Sequence, residues 1–285
     1  MAFSCYAAER GHEVHLFDKA AEIGGQFNYA KQIPGKEEFY ETLRYFTRRI
    51  EITGVKLHLN SPQTAESLQQ GGFDQVILAT GIKPRPLELP GVDHPKVLSY
   101  LDVLRDHKPV GKKVAIIGAG GIGFDVAEYL AEPESLTREP DHWMKYWGID
   151  KSYQQRGGLT EREIDKTERE IWLLQRKTSK VGKYLGATSG WVHRKTLQSH
   201  NVQMVPGVTY KKIDDKGLLI EVNEKEKLLE VDNIIICAGQ LPLRELQQEL
   251  EQAGITTHLI GGADVAAELD AKRAIRQGAE LAARI

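Results

Sequence analysis

The chain has 285 residues, a length that suits two domains with sizeable cores better than one small module. Apolar residues make up 41% and charged residues 27% of the chain, which excludes disorder, and a formal net charge of -2 favours neither a nucleic-acid nor a membrane partner. The chain has 2 cysteines, too few for a disulfide framework or an iron-sulfur cluster, and no membrane-length apolar run, so we expect a cytoplasmic protein that binds small molecules or proteins.

The opening of the chain predicts a helix, a strand and a second helix. One apolar face predicts a helix over residues 1–10, and Val14–Phe17 predicts a short strand with Asp18 at its tip. Apolar side chains at spacings of three and four predict an amphipathic helix over residues 36–50, followed by a strand over 55–59.

A buried strand and a domain connection come next. The fully apolar run Val76–Ala79, bounded by Thr80 and Gly81, is typical of a parallel strand covered on both faces. Residues 82–95 contain prolines at four positions and predict a connection between domains.

The second domain is expected to begin at Gly111 with a strand, a glycine-rich turn and a helix. The strand Lys113–Ile117 leads directly into Gly118-Ala119-Gly120-Gly121-Ile122-Gly123, and a helix follows over residues 124–131. Residues 132–170 are polar and poorly periodic, and we interpret them as an insertion that packs locally, with Trp143 and Trp147 as its anchors.

Further strands and helices complete the predicted order. They are a strand at Ile171–Leu174, an antiparallel meander over 209–231, a buried strand at Ile234–Cys237, a helix at 243–252, a strand at 258–260, the turn Gly261–Asp264 and a helix from Asp270 to Arg284.

The glycine-rich turn predicts a dinucleotide site. Gly118 allows a tight turn, Gly120 lets the backbone approach a pyrophosphate, and Gly123 lets the helix lie close to the strand. Gly121 and Ile122 belong to the same loop, before the helix whose N-terminus would face the phosphates. An ordinary glycine-rich strand-helix turn is the alternative, and the flanking strand and helix argue against it.

The tip of the next strand predicts which dinucleotide binds. An acidic residue there would bind the ribose 2'-hydroxyl of NAD, but this chain has Gln175-Arg176-Lys177 instead. Arg176 and Lys177 would pair with a 2'-phosphate, so we expect NADP(H). A solvated basic turn remains the alternative.

Several motifs in order resemble one known family. They are Asp18, Ile23-Gly24-Gly25-Gln26-Phe27, Ala79-Thr80-Gly81, the glycine loop, Leu173–Lys177, Gly261–Asp264 and Leu269–Arg273. Together they resemble the C-terminal half of the bacterial NADPH-dependent 2,4-dienoyl-CoA reductases, over essentially the whole chain. The resemblance implies an α/β fold of two Rossmann-like nucleotide-binding domains, with an NADP domain (111–237) inserted in a discontinuous FAD domain (1–110 and 238–285).

The resemblance also implies a set of flavin contacts. Asp18 would bind the adenosine ribose of FAD, Asp264 the ribityl chain, and the helix N-terminus near Asp270 and Ala271 would face the isoalloxazine. The other positions that would contact or approach the flavin are Gly24, Gly25, Gln26, Lys36, Thr80 and Gly81.

The chain departs from the full-length family pattern. The first strand and glycine loop of the FAD domain, the barrel with FMN and the acyl-CoA site, and the [4Fe-4S] cysteines have no counterpart in it, so we expect a truncated NADPH:FAD module whose electron acceptor lies in the missing half. In the parent family it would serve the reduction of 2,4-dienoyl-CoA in unsaturated fatty-acid β-oxidation.

Two alternatives stay open, and the remaining residue patterns add no site. The chain would otherwise be the same module of a trimethylamine dehydrogenase or enoate reductase relative, or a non-catalytic NADP-binding remnant. Cys5 and Cys237 are interpreted as structural, His193 as a surface or packing residue, and no metal site is expected.

Overall fold

The computed structural model describes residues 1–132, 134–266 and 271–285. Within them the α-helices are α1 (Ala2–Glu9), α2 (Phe27–Ala30), α3 (Glu38–Thr53), α4 (Ala65–Gln70), α5 (Tyr100–Leu104), α6 (Gly121–Ala131), α7 (Pro140–Trp147), α8 (Gly190–Ser199), α9 (Gln247–Gln252) and α10 (Ala271–Ala282). No described helix is long and apolar enough to cross a membrane.

The strands of the described residues are short and are distributed over several sheets. They are β1 (His15–Phe17), β2 (Lys56–His58), β3 (Gln75–Leu78), β4 (Ile82–Pro84), β5 (Val97–Ser99), β6 (Lys113–Ile117), β7 (Glu170–Leu174), β8 (Gln203–Val205), β9 (Thr209–Asp214), β10 (Gly217–Val222), β11 (Lys225–Leu229), β12 (Asn233–Ile236), β13 (Gln240–Pro242) and β14 (Thr256–Leu259).

The chain divides into two compact units. The first unit contains Met1–Phe27, Phe39–Arg85 and Gln240–Ile285, and the second contains Asn28–Glu38 and Pro86–Gly239. Residues 28–38 and 86–110, which the sequence analysis assigned to the FAD domain, lie in the second unit. In the later segment β5 pairs in parallel with β12. The assignment of a cofactor to each domain stays a prediction.

The second unit is built on a parallel five-stranded sheet in the order β5-β12-β6-β7-β8. Val114 and Ile116 of β6 lie in the core cluster that includes Phe124 and Val126 of α6, whereas Ala115 and Ile117 lie in the cluster that includes β9 and β10 side chains. Successive side chains of a strand point to opposite faces, so an all-apolar strand is covered on both sides. The predicted α/β class with a Rossmann-like parallel sheet is confirmed.

The predicted meander of the second unit is also confirmed. It is the antiparallel sheet β9-β10-β11, whose buried side chains Ile213, Leu218 and Ile220 cover one face of the parallel sheet. Each fully buried aliphatic side chain contributes about 1.5–3 kcal/mol to stability, so both faces hold β6 firmly in place.

The first unit has small parallel sheets instead of one large sheet. β1 pairs with β2 and β3 pairs with β14, both in parallel, while β4 pairs antiparallel with β13. β4 lies inside the segment expected to be a connection, and Pro84 ends it at a position opposite Gln240. α1 lies closely against α10, where a Cβ at Gly278 would come within 2.9 Å of the Phe3 backbone nitrogen.

The insertion differs from its prediction in which aromatic residue anchors it. Tyr146 of α7 is only 1% exposed, whereas Trp143 is 39% exposed. Trp147 lies at the end of α7 beside the Arg162 guanidinium, 5.1 Å from the ring centroid. The buried aromatic side chain is therefore Tyr146, one residue away from the predicted anchor Trp147.

Candidate functional site

The glycine turn after β6 is held at the carboxyl edge of the parallel sheet. Gly118 has φ of +107°, in the left-handed region that favours glycine, and its N–H donates to the Leu174 carbonyl at 3.0 Å. A Cβ there would lie 2.8 Å from the Cys237 carbonyl oxygen. The turn is therefore held between the carboxyl ends of β7 and β12.

The next two glycines of the motif differ in what surrounds them. A Cβ at Gly123 would approach the Gly118 carbonyl oxygen to 1.8 Å, so α6 can pack at its observed distance only without a side chain there. A Cβ at Gly120 or Gly121 would meet no atom within 4 Å. Space is thus open at the N-terminus of α6, where free N–H groups and the helix dipole favour a phosphate.

The two cations predicted to select NADP(H) lie at the tip of β7. The Gln175 side-chain amide donates to the carbonyls of Lys177 at 2.9 Å and Ser179 at 2.7 Å, which fixes the course of the loop. Arg176 and Lys177 are both exposed, and the Lys177 Nζ lies 4.6 Å from the Tyr184 ring centroid. Arg176 and Lys177 therefore stand exposed at the tip of β7, and their pairing with a 2'-phosphate stays a prediction.

Charged residues of α6 form two further pairs that sequence reasoning missed. Asp125 pairs with Lys36, with 2.5 Å between Oδ1 and Nζ, and Glu128 pairs with His193 of α8, with 2.7 Å between Oε1 and Nδ1. The signal in the sequence was two acidic residues three apart in an otherwise apolar helix, which places them on one face. Their partners come from distant parts of the second unit.

Burial and hydrogen bonding raise the pKa values of the Glu128–His193 pair. Glu128 is only 4% exposed, and this burial raises the pKa of its carboxyl. The hydrogen bond to Glu128 raises the pKa of His193. Folding therefore increases the proton affinity of both groups, and the earlier interpretation of His193 as a surface or packing residue was incomplete.

This pair predicts a pH-dependent contribution to stability. A group whose folded pKa lies above its unfolded pKa stabilises the fold fully below the unfolded value, about 6.5 for histidine, and that stabilisation is lost as pH rises through the folded pKa. We expect the urea midpoint of the wild-type chain to fall more between pH 6 and pH 8 than that of Glu128→Gln. His142→Gln, which changes a more exposed histidine paired with Asp165, serves as the control and should keep the wild-type fall. Identical falls in wild type and Glu128→Gln would contradict the assignment.

In the first unit, the structure brings two of the predicted flavin-side turns together. A Cβ at Gly262 would lie 3.2 Å from the Gly81 Cα, and the Thr80 hydroxyl donates to the Leu243 carbonyl at 2.5 Å. The Asp264 carboxylate accepts from the Gln277 side chain at 2.8 Å, and the Arg244 guanidinium donates to the carbonyls of Ala263 and Asp264. Arg244 and Gln277 are structural supports that the sequence did not single out.

The other residues predicted to lie on the flavin side, apart from Lys36, are found around β1, α2 and α10. Asp18 follows β1 and accepts a hydrogen bond from the Ala20 N–H at 2.9 Å, as a strand-end acid in a turn does. Gly24 and Gly25 have φ of +124° and +52°, and Gln26 is exposed before α2. Ala271 begins the described part of α10, whereas the predicted helix start at Asp270 lies outside the described residues.

Both cysteines are buried, and burial raises the pKa of each thiol. A thiol with a raised pKa is a poor nucleophile at neutral pH. Cys5 lies on α1 and Cys237 follows β12, where both fill apolar clusters. The interpretation of these residues as structural fits their surroundings.

Known proteins share this architecture. The sequence model of the family described as pyridine nucleotide-disulphide oxidoreductase matches residues 1–273. A metal reductase of Desulforamulus reducens is 26% identical over 271 residues, 92% of this chain and 39% of that protein. A cinnamate reductase of Clostridium sporogenes is 27% identical over 263 residues, 90% of this chain and 34% of that protein.

A solved structure shows the same fold over the whole chain. The complex of 2-naphthoyl-CoA reductase with 2-naphthoyl-CoA superposes with a TM-score of 0.83 at 24% identity, covering 100% of this chain and 38% of the other. The chain thus spans 34–39% of the length of these three proteins.

Proposed function

The chain belongs to the pyridine nucleotide-disulphide oxidoreductase family, and we propose that it is the NADPH:FAD electron-transfer module of a reductase of the 2,4-dienoyl-CoA reductase type. In this proposal the NADP domain is inserted in a discontinuous FAD domain. Reduction of the dienoyl-CoA, with FMN and a [4Fe-4S] centre, is the proposed activity of the whole protein.

The observation that carries the proposal is the contrast between Gly120 and Gly123. Gly123 is required for the packing of α6, because a Cβ there would clash with the Gly118 carbonyl oxygen. Gly120 faces open space at the helix N-terminus. A turn that served packing alone would not need glycine at an open position. Backbone N–H groups at that position are suited to a pyrophosphate.

When bound, NADPH would supply a hydride that FAD could accept, and the chain's own residues would hold and orient the two cofactors. Arg176 and Lys177 would pair with the 2'-phosphate. Lys36 would lie on the flavin side, with its ammonium held in place by Asp125. The residues proposed to contact FAD are Asp18, Gly24, Gly25, Gln26, Thr80, Gly81, Asp264 and Ala271.

The test of the proposal is flavin reduction on the purified chain. FAD is added in excess under anaerobic conditions, and the visible flavin absorption is followed after addition of NADPH. We expect bleaching that requires the chain and is slower for the Arg176→Ala/Lys177→Ala variant. Absence of any chain-dependent bleaching would overturn the electron-transfer role and leave a non-catalytic NADP-binding remnant.

A second candidate function is supported by the cinnamate reductase relative. Sequence identity of 27% over 90% of this chain favours an enoate-reductase type of parent as a competing assignment. The two candidates share the NADPH:FAD step and differ in the final acceptor. Activity of the whole protein with 2,4-dienoyl-CoA against cinnamate distinguishes them.

Removing the two cations at the tip of β7 should change cofactor choice. Each charge-assisted hydrogen bond contributes roughly 1.5–3 kcal/mol, so Arg176→Ala/Lys177→Ala should weaken NADPH at least about tenfold and leave NADH within about twofold. Isothermal titration measures the dissociation constants of NADPH and NADH. Lys227→Ala, an exposed lysine on β11, is the control and should change neither. Equal losses for NADPH and NADH would contradict the 2'-phosphate assignment.

A further inference from the structure

Residues of the insertion, of the loop after β7 and of α8 line an open, strongly basic pocket in the second unit. The cavity has a volume of about 400 Å³ and is lined by Trp147, Arg162, Lys180, Trp191, Arg194 and Lys195, a set we term the α7–α8 pocket. None of these residues belongs to the glycine turn or to the Arg176-Lys177 pair. Cavities of this size accept small ligands.

The pocket carries positive charge without compensation. Within the part of the chain that the structure describes, no aspartate or glutamate lines it or forms an ion pair with any of its four cations. Like charges gathered in one cavity repel each other, and a bound anion would relieve that repulsion. Lys180 and Lys195 are exposed and keep their ammonium groups available for a ligand.

The two arginines are held in place by hydrogen bonds. Arg162 donates through Nε to the Tyr146 carbonyl at 2.9 Å and through Nη2 to the Ser199 hydroxyl at 3.1 Å. Arg194 donates through Nη1 to the Gly182 carbonyl at 2.8 Å. Fixed guanidinium groups lose little entropy on binding and match the geometry of phosphate oxygens.

Two indole rings add a flat apolar surface beside these cations. Trp191 of α8 is 57% exposed although it is a large aromatic residue. Trp147, at the end of α7, lines the same pocket. Along α8, Trp191, Arg194 and Lys195 stand at spacings of three and four, so ring and charges share one helix face. Indole rings stack on planar bases with little dependence on their identity.

We propose that the α7–α8 pocket binds a phosphorylated molecule with a planar ring, of the nucleoside diphosphate class, at a site separate from the dinucleotide turn. The phosphates would lie among the four cations, and the ring would stack on Trp191. The insertion therefore contributes a binding site beyond the proposed electron-transfer function.

The test uses ADP as the probe in calorimetric titrations of the full chain carrying Gly120→Asp, which blocks the dinucleotide turn. We expect this variant to bind ADP saturably. Adding Lys180→Gln/Lys195→Gln to it, or adding Trp191→Leu to it, should each weaken ADP binding at least about tenfold. The control Lys225→Gln/Lys227→Gln also removes two positive charges, but from β11, and should leave ADP binding unchanged.

Two further probes and three outcomes decide the proposal. Adenosine, which lacks phosphates, and pyrophosphate, which lacks a ring, should each bind at least about tenfold more weakly than ADP. Pyrophosphate binding as tight as that of ADP would overturn the ring contact. ADP binding that is insensitive to the pocket variants, or no ADP binding at all, would overturn the site. Because ADP is measured with the dinucleotide turn blocked, its result does not depend on whether that turn binds NADPH.

Discussion

Gly123→Ala is expected to destabilise the second unit by about 3 kcal/mol, since overpacked sites in a dense core force the backbone to move. The added Cβ would lie 1.8 Å from the Gly118 carbonyl oxygen, and neither atom can move without separating α6 from β6. Both elements are buried in the centre of the unit, so their displacement also disturbs Phe124 and Ile116. An apparent melting midpoint lower by roughly 6–12 °C should result.

The control for this change lies two residues earlier in the chain. A Cβ at Gly121 would meet no atom within 4 Å, so Gly121→Ala should leave the melting midpoint unchanged or raise it slightly, because alanine favours helix. Differential scanning calorimetry of both variants measures the contrast. Equal midpoints for the two variants would show that α6 does not pack on the turn as the structure has it.

Gly120→Asp is expected to weaken dinucleotide binding strongly without harming the fold. Gly120 precedes α6 with φ of -85° and ψ of -170°, a conformation in which aspartate is a favourable N-cap. Its carboxylate would occupy the space open to a pyrophosphate and would repel it. We expect the NADPH affinity to fall about a hundredfold, while the melting midpoint is kept or raised.

A neutral variant separates bulk from charge at the same position. Gly120→Asn has nearly the same size and the same capping capacity as Gly120→Asp. It should weaken NADPH less than Gly120→Asp does, because the repulsion is missing. NADPH affinity unchanged in both variants would show that the pyrophosphate does not approach Gly120.

The central strands of the second unit were predictable because their side chains are apolar at every position. Val114–Ile117 and Ile234–Cys237 need cover on both faces, which only a parallel sheet between two layers provides. β5 was not predicted, since three residues after a proline-rich connection carry no periodic signal. Its pairing with β12 joins parts of the chain that lie far apart in the sequence.

The candidate site shows the same division between local and distant information. The strand-turn-helix context predicts the glycine turn, because the strand, the glycines and the helix are consecutive in the sequence. The pairs Lys36–Asp125 and Glu128–His193 join residues 89 and 65 positions apart, so no local pattern indicates which residues pair with the two acids of α6. Lys36 was placed on the flavin side by resemblance alone, and its ion pair became apparent only in the folded unit.

The surroundings of the insertion were equally hidden in the sequence. Two tryptophans four apart predict a helix face, but they do not tell which face is buried when the flanking residues lack a period. The structure buries Tyr146 and leaves Trp191 and Trp147 beside the basic residues of α8. The α7–α8 pocket depends on that orientation.

Binding of NADPH and NADH to the unmodified chain, measured by isothermal titration under identical salt conditions, tests the central claim most directly. The Gly118–Gly123 turn and the cations at the tip of β7 predict saturable binding of one NADPH, with NADH weaker by at least about tenfold. Absence of NADPH binding, or NADH binding of equal strength, would contradict the assignment of this unit to NADPH.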